Sequence, residues 1–234
     1  MPSSHSITEH ARVQQIAKQV LQQLGQSINP DDNEQSIAAR AQQLLAEHGC
    51  NDTWYYACPA LVLLGSRSCI SISGREYQAG QETVGYTNLV SIDLSPMQNQ
   101  YWGDCARSFA IEDGKLSASP QNIEFRNGLT FLHKLHDEMR QWVRPTTTFA
   151  QLFDWTNLRI RQSGFVNLDY RNNVGHSIVK QRDERNYIEA SNFAELASVD
   201  FFSFEPFIRS KGGKWGFKHE EIFYFDEAGK LQIL

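Results

Sequence analysis

The chain has 234 residues, 41% hydrophobic and 21% charged, a composition that excludes a disordered or fibrous protein. Its 22 basic and 27 acidic residues leave a formal net charge of −5 with no basic block, which argues against nucleic acid or an anionic membrane surface as partner. No run approaches the ~20 apolar residues of a membrane span, the N-terminus lacks the basic-then-apolar layout of a signal peptide, and Cys50, Cys58, Cys69 and Cys105 show no CxxC spacing, so a cytoplasmic protein with reduced, role-free thiols is expected.

Ser6 to Leu24 carries Ile7, Val13, Ile16, Val20 and Leu24 at helical spacing, with Gly25 as the stop signal. A second helix is predicted from about Asp32, with Ile37, Ala38, Leu44 and Leu45 on its apolar side and Gly49 at its end. From Trp54 to Ile72 the apolar runs are short and rich in strand formers, and Asn88 to Ile111 reads as a hairpin. Asn122 to Val143 is a long helix bearing Ile123, Phe125, Leu129, Leu132, Leu135 and Met139, and after Pro145 a shorter helix ends at Gly164. The spacing from Pro30 to Gly49 is 19 residues, and from Pro145 to Gly164 it is again 19. Helix, Pro-led turn, helix, Gly stop and strands therefore occur twice, which predicts an α+β fold of two related halves with a cleft between them. The expected layout is one domain, 1–234, with N-terminal helices in 1–50, a first half in 51–117 and a second half in 118–234. The aromatic stretches Trp54 to Tyr56, Tyr101 with Trp102, and Phe201 with Phe202 read as core rather than pocket lining.

The chemistry lies in two pairs of carboxylates. In the first hairpin a turn centred on Met97 to Gln100 sets Asp93 opposite Asp104, on one face of the ladder. A C-terminal hairpin centred on Gly212 and Gly213 likewise sets Glu205 opposite Glu220, among aromatic residues. Opposed carboxylates repel each other, so such pairs persist where they are solvated or where a cation lies between them. His176, between Gly175 and the strand-like Ser177 to Val179, adds a nitrogen donor. Four carboxylates and one neutral imidazole would be neutralised by two divalent cations, and the oxygen-rich set suits Mn or Fe before Co or Zn.

These residues, in this order, resemble the pita-bread metallohydrolase family of methionine aminopeptidases, Xaa-Pro aminopeptidases, prolidases and creatinase. The resemblance runs from about residue 55 to Leu234 and rests on SIDLSPMQNQYWGDCARSF, VGHSI, FFSFEP and FKHEEIFYFDEAGK. It implies two pseudo-symmetric αββ halves around a curved antiparallel sheet. It also implies that Asp93 holds one metal, that Asp104 and Glu220 bridge two, and that His176 and Glu205 complete the other site. Glu221 is the rival of Glu220, and strand alternation turns His219 to the opposite face.

Two departures bear on activity. Family peptidases carry a histidine before the Asp hairpin, where this chain has Ile70, Ser71, Ile72 and Ser73, and another seven residues after the metal-binding histidine, where this chain has Asp183. Those histidines help to hold substrate and stabilise the reacting carbonyl. The expectation is a divergent dinuclear metal-dependent hydrolase, aminopeptidase-like, that cleaves a C–N bond of a small molecule or short peptide. Glu205 would shuttle protons, and Asp183 or Glu184 would contact a cationic substrate group. The alternatives are a non-peptidase metalloenzyme of specialised metabolism and a catalytically inactive binding protein; the assembly considered is a homodimer.

Overall fold

The computed structural model describes residues 1–234. Helix α1 (Ser4–Ser27) buries Val13, Ala17, Val20, Leu21 and Leu24 on one face. Gly25 does not end it. The glycine sits inside the last turn, where a Cβ would lie 2.4 Å from the ring of Phe109, so its role is to let the helix approach the sheet. The helix stops instead at Ile28, which is extended and is followed closely by Pro30.

Helix α2 (Glu34–Glu47) opens with a reciprocal cap between Asn33 and Ser36. In the second half α3 (Ile123–Trp142) is followed by α4 (Phe149–Gln162), capped in the same way by Thr148 and Gln151. The repeat extends to the backbone. Val84 donates to the Asp32 carbonyl and Gly85 to Pro30, as Leu196 donates to Thr147 and Ala197 to Pro145. Both cap residues form single β-bridges, Asn33 with Thr83 and Thr148 with Glu195. Gly49 and Gly164 leave their helices at φ +82° and +81°, the left-handed exit that glycine allows without strain.

In the first half the strands Ala60–Leu64, Asn88–Leu94, Cys105–Glu112 and Lys115–Leu116 pair antiparallel in that order. The stretch Trp54 to Ile72 holds only the first of these; past Leu64 the chain enters a short 3-10 turn and loops. Those loops are held by Glu34, whose carboxylate accepts from Arg67 and from the Gly80 N–H. In the second half Phe201–Phe204 lies between Ser177–Ile178 and Glu221–Phe225, and Phe207–Ser210 lies between Phe165–Asn167 and Gly216–Lys218. The halves meet where Lys218 N–H donates to Ser108 Oγ, Glu220 N–H donates to the Ala106 carbonyl, and Arg107 bridges His219.

Two main cores follow the halves, the second also taking in Leu89 and Ala110 of the first. One joins α1 and α2 to the first sheet, and the other joins α3 and α4 to the second through Phe125, Phe149, Phe204 and Phe217. Truncating one of these phenylalanines costs about 3–5 kcal/mol. A third cluster, Trp54, Trp102, Ile178, Phe201 and Ile222, draws on both halves. No helix is long and apolar enough to cross a membrane.

Candidate metal centre

Asp93 does not pair with Asp104. It faces Ala106, and the two-residue turn falls at Asn99 and Gln100, which take positive φ, so the ladder is shifted by two positions from the sequence reading. Hairpins favour such turns because their twist matches the strands, and Asn enters the left-handed region easily. A shift of two preserves the face of every side chain. Asp93 and Asp104 therefore still converge, and each offers an oxygen within 4.8 Å of the other's and of one from Glu220.

The C-terminal hairpin keeps the register read from its turn: Phe204 pairs with Glu221 and Phe207 with Lys218. Between those pairs the ladder is interrupted, because Pro206 has no N–H to give. Glu205 donates its N–H to Val174 and Glu220 its N–H to Ala106. The interruption lets both carboxylates turn toward the seam between the halves.

His176 reaches the same point through Gly175. At φ +150°, a Cβ on Gly175 would lie 2.1 Å from the Ser203 carbonyl oxygen, so only glycine fits. The His176 Nδ1–H donates to the Ser177 carbonyl at 3.0 Å, which leaves Nε2 unprotonated, with Arg185 Nη1 at 3.5 Å as its one hydrogen-bond partner. His176 Nε2 lies 3.5 Å from Asp104 Oδ2 and 3.6 Å from Glu205 Oε1. Burial pushes the imidazole pKa down to about 4 against the pull of Glu205, so the ring is neutral at pH 7 and fit to ligate.

One member of the site was not foreseen. The Lys218 ammonium lies 2.5 Å from Asp93 Oδ2 and 2.9 Å from Glu205 Oε2, tying together the outer oxygens of two expected ligands. Burial opposes its charge, but Asp93, Glu205 and Glu220 hold its pKa well above the usual value. Burial likewise opposes ionisation of Glu205, yet Lys218 and His176 prevail and keep its pKa below the ordinary range. At Asp104 and Glu220 the pull of Lys218 is outweighed. Burial and the neighbouring carboxylates push both well up. Asp104 Oδ2 and both Glu220 oxygens are buried with no hydrogen-bond partner. Orphaned carboxylate oxygens beside an unprotonated imidazole nitrogen are what a divalent cation satisfies, so these residues fit metal ions.

The remaining candidates lie elsewhere. Glu221 pairs with Arg107 and, at 2.9 Å, with Lys18. His219 packs against His133 and His136, and burial drives its pKa far down. Asp183 is a correction. Its side chain is 83% exposed in the turn Arg182–Glu184 and pairs with Arg182, while Arg185, two residues on, enters the cavity instead. Trp54, Tyr55 and Tyr56 also line that cavity, Trp54 doubling as core by stacking on Trp102, whereas Phe201 and Phe202 are core as expected. The cavity, about 220 Å³, has Asp93, Asp104, His176 and Glu205 on one wall and Ile70 to Ser73 among its other residues.

A profile of metallopeptidase family M24 matches residues 8–227. Comparison with curated sequences finds no match. Among solved structures, the X-Pro aminopeptidase of Thermotoga maritima MSB8 superposes with a TM-score of 0.81 at 19% identity over 99% of this chain and 61% of its own. The prolidase of Pyrococcus furiosus gives 0.79 at 19% identity, over 100% of this chain and 64% of its own, so the chain spans about three fifths of the length of these two proteins. The methionine aminopeptidase of Rickettsia prowazekii gives 0.74 at 14% identity, covering 100% of this chain and 98% of that one. At such identities the likeness establishes the pita-bread fold, and the profile match establishes the lineage: the chain belongs to metallopeptidase family M24.

Proposed function

We propose that this protein is a metal-dependent hydrolase, aminopeptidase- or dipeptidase-like, that uses two divalent cations (Mn or Fe before Co or Zn) to cleave a peptide, amide or amidino C–N bond in a small substrate. The observation that carries the reading is the set of buried, unpartnered oxygens on Asp104 and Glu220 beside the unprotonated Nε2 of His176. Asp104 and Glu220 would be shared between the cations, with Asp93 on one and His176 and Glu205 on the other. Lys218 engages Asp93 Oδ2 and Glu205 Oε2, so one oxygen of each remains for a metal. Divalent cations at such a site would polarise a carbonyl through its oxygen and make water acidic enough to ionise near neutral pH.

The chain's own groups do the rest. Lys218 keeps Glu205 ionised, and beside its ligand role Glu205 would take a proton and return it to a leaving amine, while Ser203 Oγ donates to its Oε1 at 3.4 Å. The aromatic wall of Trp54, Tyr55 and Tyr56 narrows solvent access. A cavity of about 220 Å³ is smaller than the roughly 300–1,000 Å³ of drug-sized sites and suits a ligand of dipeptide size. Mn-loaded protein is expected to hydrolyse at least one member of a dipeptide panel that includes Xaa-Pro and Met-Xaa, to lose that activity on chelation and to regain it with metal. Inactivity of fully loaded protein on the whole panel overturns the peptidase reading.

A further inference from the structure

The two carboxylates with orphaned oxygens stand just outside the ladders. Asp104 falls between the strands Tyr101–Trp102 and Cys105–Glu112, and Glu220 between Gly216–Lys218 and Glu221–Phe225. Their backbones therefore depend on other partners. Glu220 gives its N–H to the Ala106 carbonyl, and Arg107 Nη1 donates to the Glu220 carbonyl at 2.7 Å. Asp104 is held by a side chain from α1. Gln14 Oε1 accepts from the Asp104 N–H at 2.8 Å, and Gln14 Nε2 donates to the Asp104 carbonyl at 2.8 Å. One amide thus exchanges two bonds with one residue, as a hydrogen-bonded neighbour in an antiparallel ladder does. Gln14 is fully buried, and α1 presses so close that a Cβ on Gly103 would stand 3.0 Å from the Val13 carbonyl oxygen. One turn along α1, Lys18 pairs with Glu221, the neighbour of Glu220.

We infer that Gln14 is a positioning residue of the metal centre, which acts through the backbone of Asp104 to preset the carboxylate that the two cations would share. This rests on the metal-dependent reading above and extends its centre to the first helix of the chain. A buried primary amide is costly unless both its ends are paired, and both ends of Gln14 meet the same residue. On its carboxyl side Asp104 has little to fix it. Oδ2 has no hydrogen-bond partner, and the carboxylates of Asp93 and Glu220, with oxygens within 4.8 Å, repel it when ionised. The restraint comes from behind, through two backbone bonds to a helix that is itself packed on the sheet. Donors converged before a cation arrives leave less ordering for binding to offset, so loss of the restraint weakens metal binding apart from any loss of stability.

The test compares the wild type with Gln14→Met, which keeps the length of the side chain and deletes both bonds, and with Asn88→Leu as control. Asn88 is also buried and also binds backbone, accepting from the Gly65 and Leu89 N–H groups and donating to the Val84 carbonyl, but it stands at the opposite end of the ladder from Cys105. Stripped proteins are titrated with Mn by calorimetry and unfolded in urea. Both variants should lose stability. Only Gln14→Met should lose Mn affinity, by about 10- to 100-fold, the range for groups that orient metal ligands. Gln14→Asn, one methylene short, should fall between, and it carries the test if Gln14→Met does not fold. Low-temperature EPR of Mn-loaded protein should show spin-coupled ions in the wild type and in Asn88→Leu, and a larger isolated-ion signal in Gln14→Met. Affinity and coupling that are unchanged in the Gln14 variants, or lost equally in Asn88→Leu, overturn the inference and leave the metal centre standing. A wild type that takes up no Mn overturns the metal centre, and the inference with it.

Discussion

Replacing Lys218 by methionine keeps the length of the side chain and deletes the charge that Asp93 and Glu205 share. In the metal-free protein those carboxylates are then left facing each other with no cation between them. Removing one partner of a buried ion pair costs about 3–5 kcal/mol. Side-chain exposures of 19% for Lys218, 23% for Asp93 and 21% for Glu205 admit some solvent and place the expectation at the low end, ~3 kcal/mol. The folded pKa of Lys218 is raised, so its contribution is complete below the unfolded value of about 10.4 and is intact at pH 7. Urea unfolding at pH 7 in chelator should show this loss in Lys218→Met, and the double variant Lys218→Met, Asp93→Asn should recover about half of it by removing one of the stranded charges. Saturating Mn should shrink the deficit to below ~1 kcal/mol, because a bound cation supplies the missing charge and stabilises the fold by mass action. A metal-free Lys218→Met protein as stable as the wild type would refute the reasoning, as would an Asp93→Asn change that rescues nothing.

Gly175→Ala should destabilise the protein by ~3 kcal/mol, since its Cβ meets the Ser203 carbonyl oxygen at a φ that strains any side chain. That corresponds to a fall of roughly 6–12 °C in thermal midpoint, accompanied by weaker metal binding as His176 moves; an unchanged midpoint contradicts it. The raised pKa values of Asp104 and Glu220 predict a pH effect of definite sign. These groups hold protons in the metal-free protein that a cation must expel, so metal affinity falls as pH is lowered, further still when His176 protonates at about 4. Calorimetry in two buffers of different ionisation enthalpy should detect proton release on metal binding at pH 6; an affinity that is flat from pH 7 to pH 5 contradicts this account.

Much of the fold was legible because its signals are local. The 19-residue spacings from Pro30 and Pro145 correspond to real equivalence, down to matching caps and matching backbone bonds to those prolines. The C-terminal register followed from two glycines at a turn, and it was right on both sides of an interruption that the sequence signals only through Pro206. The first hairpin was misplaced by two positions because Met97 to Gln100 contains no Gly to mark the turn; Asn99 was the available clue. Gly25 misled for a complementary reason, since a glycine within a helix and one at its end look alike until the packing partner, here Phe109, is known. Counting seven residues from His176 led to Asp183, but the chain folds into a short turn there and brings Arg185 inward, which spacing alone does not encode. Lys218 was missed as a member of the centre because its role depends on two carboxylates from distant strands, and alternation with Glu220 was the signal that could have found it.

The central claim is that Asp93, Asp104, His176, Glu205 and Glu220 together hold metal. Elemental analysis of protein purified without chelator, followed by titration of stripped protein with Mn, Fe, Co and Zn, tests it directly. The account predicts about two equivalents per chain, with uptake lost in Asp104→Ala while the fold, read by circular dichroism, persists. A wild-type protein that emerges metal-free and takes up none of the four ions at micromolar concentration would contradict it.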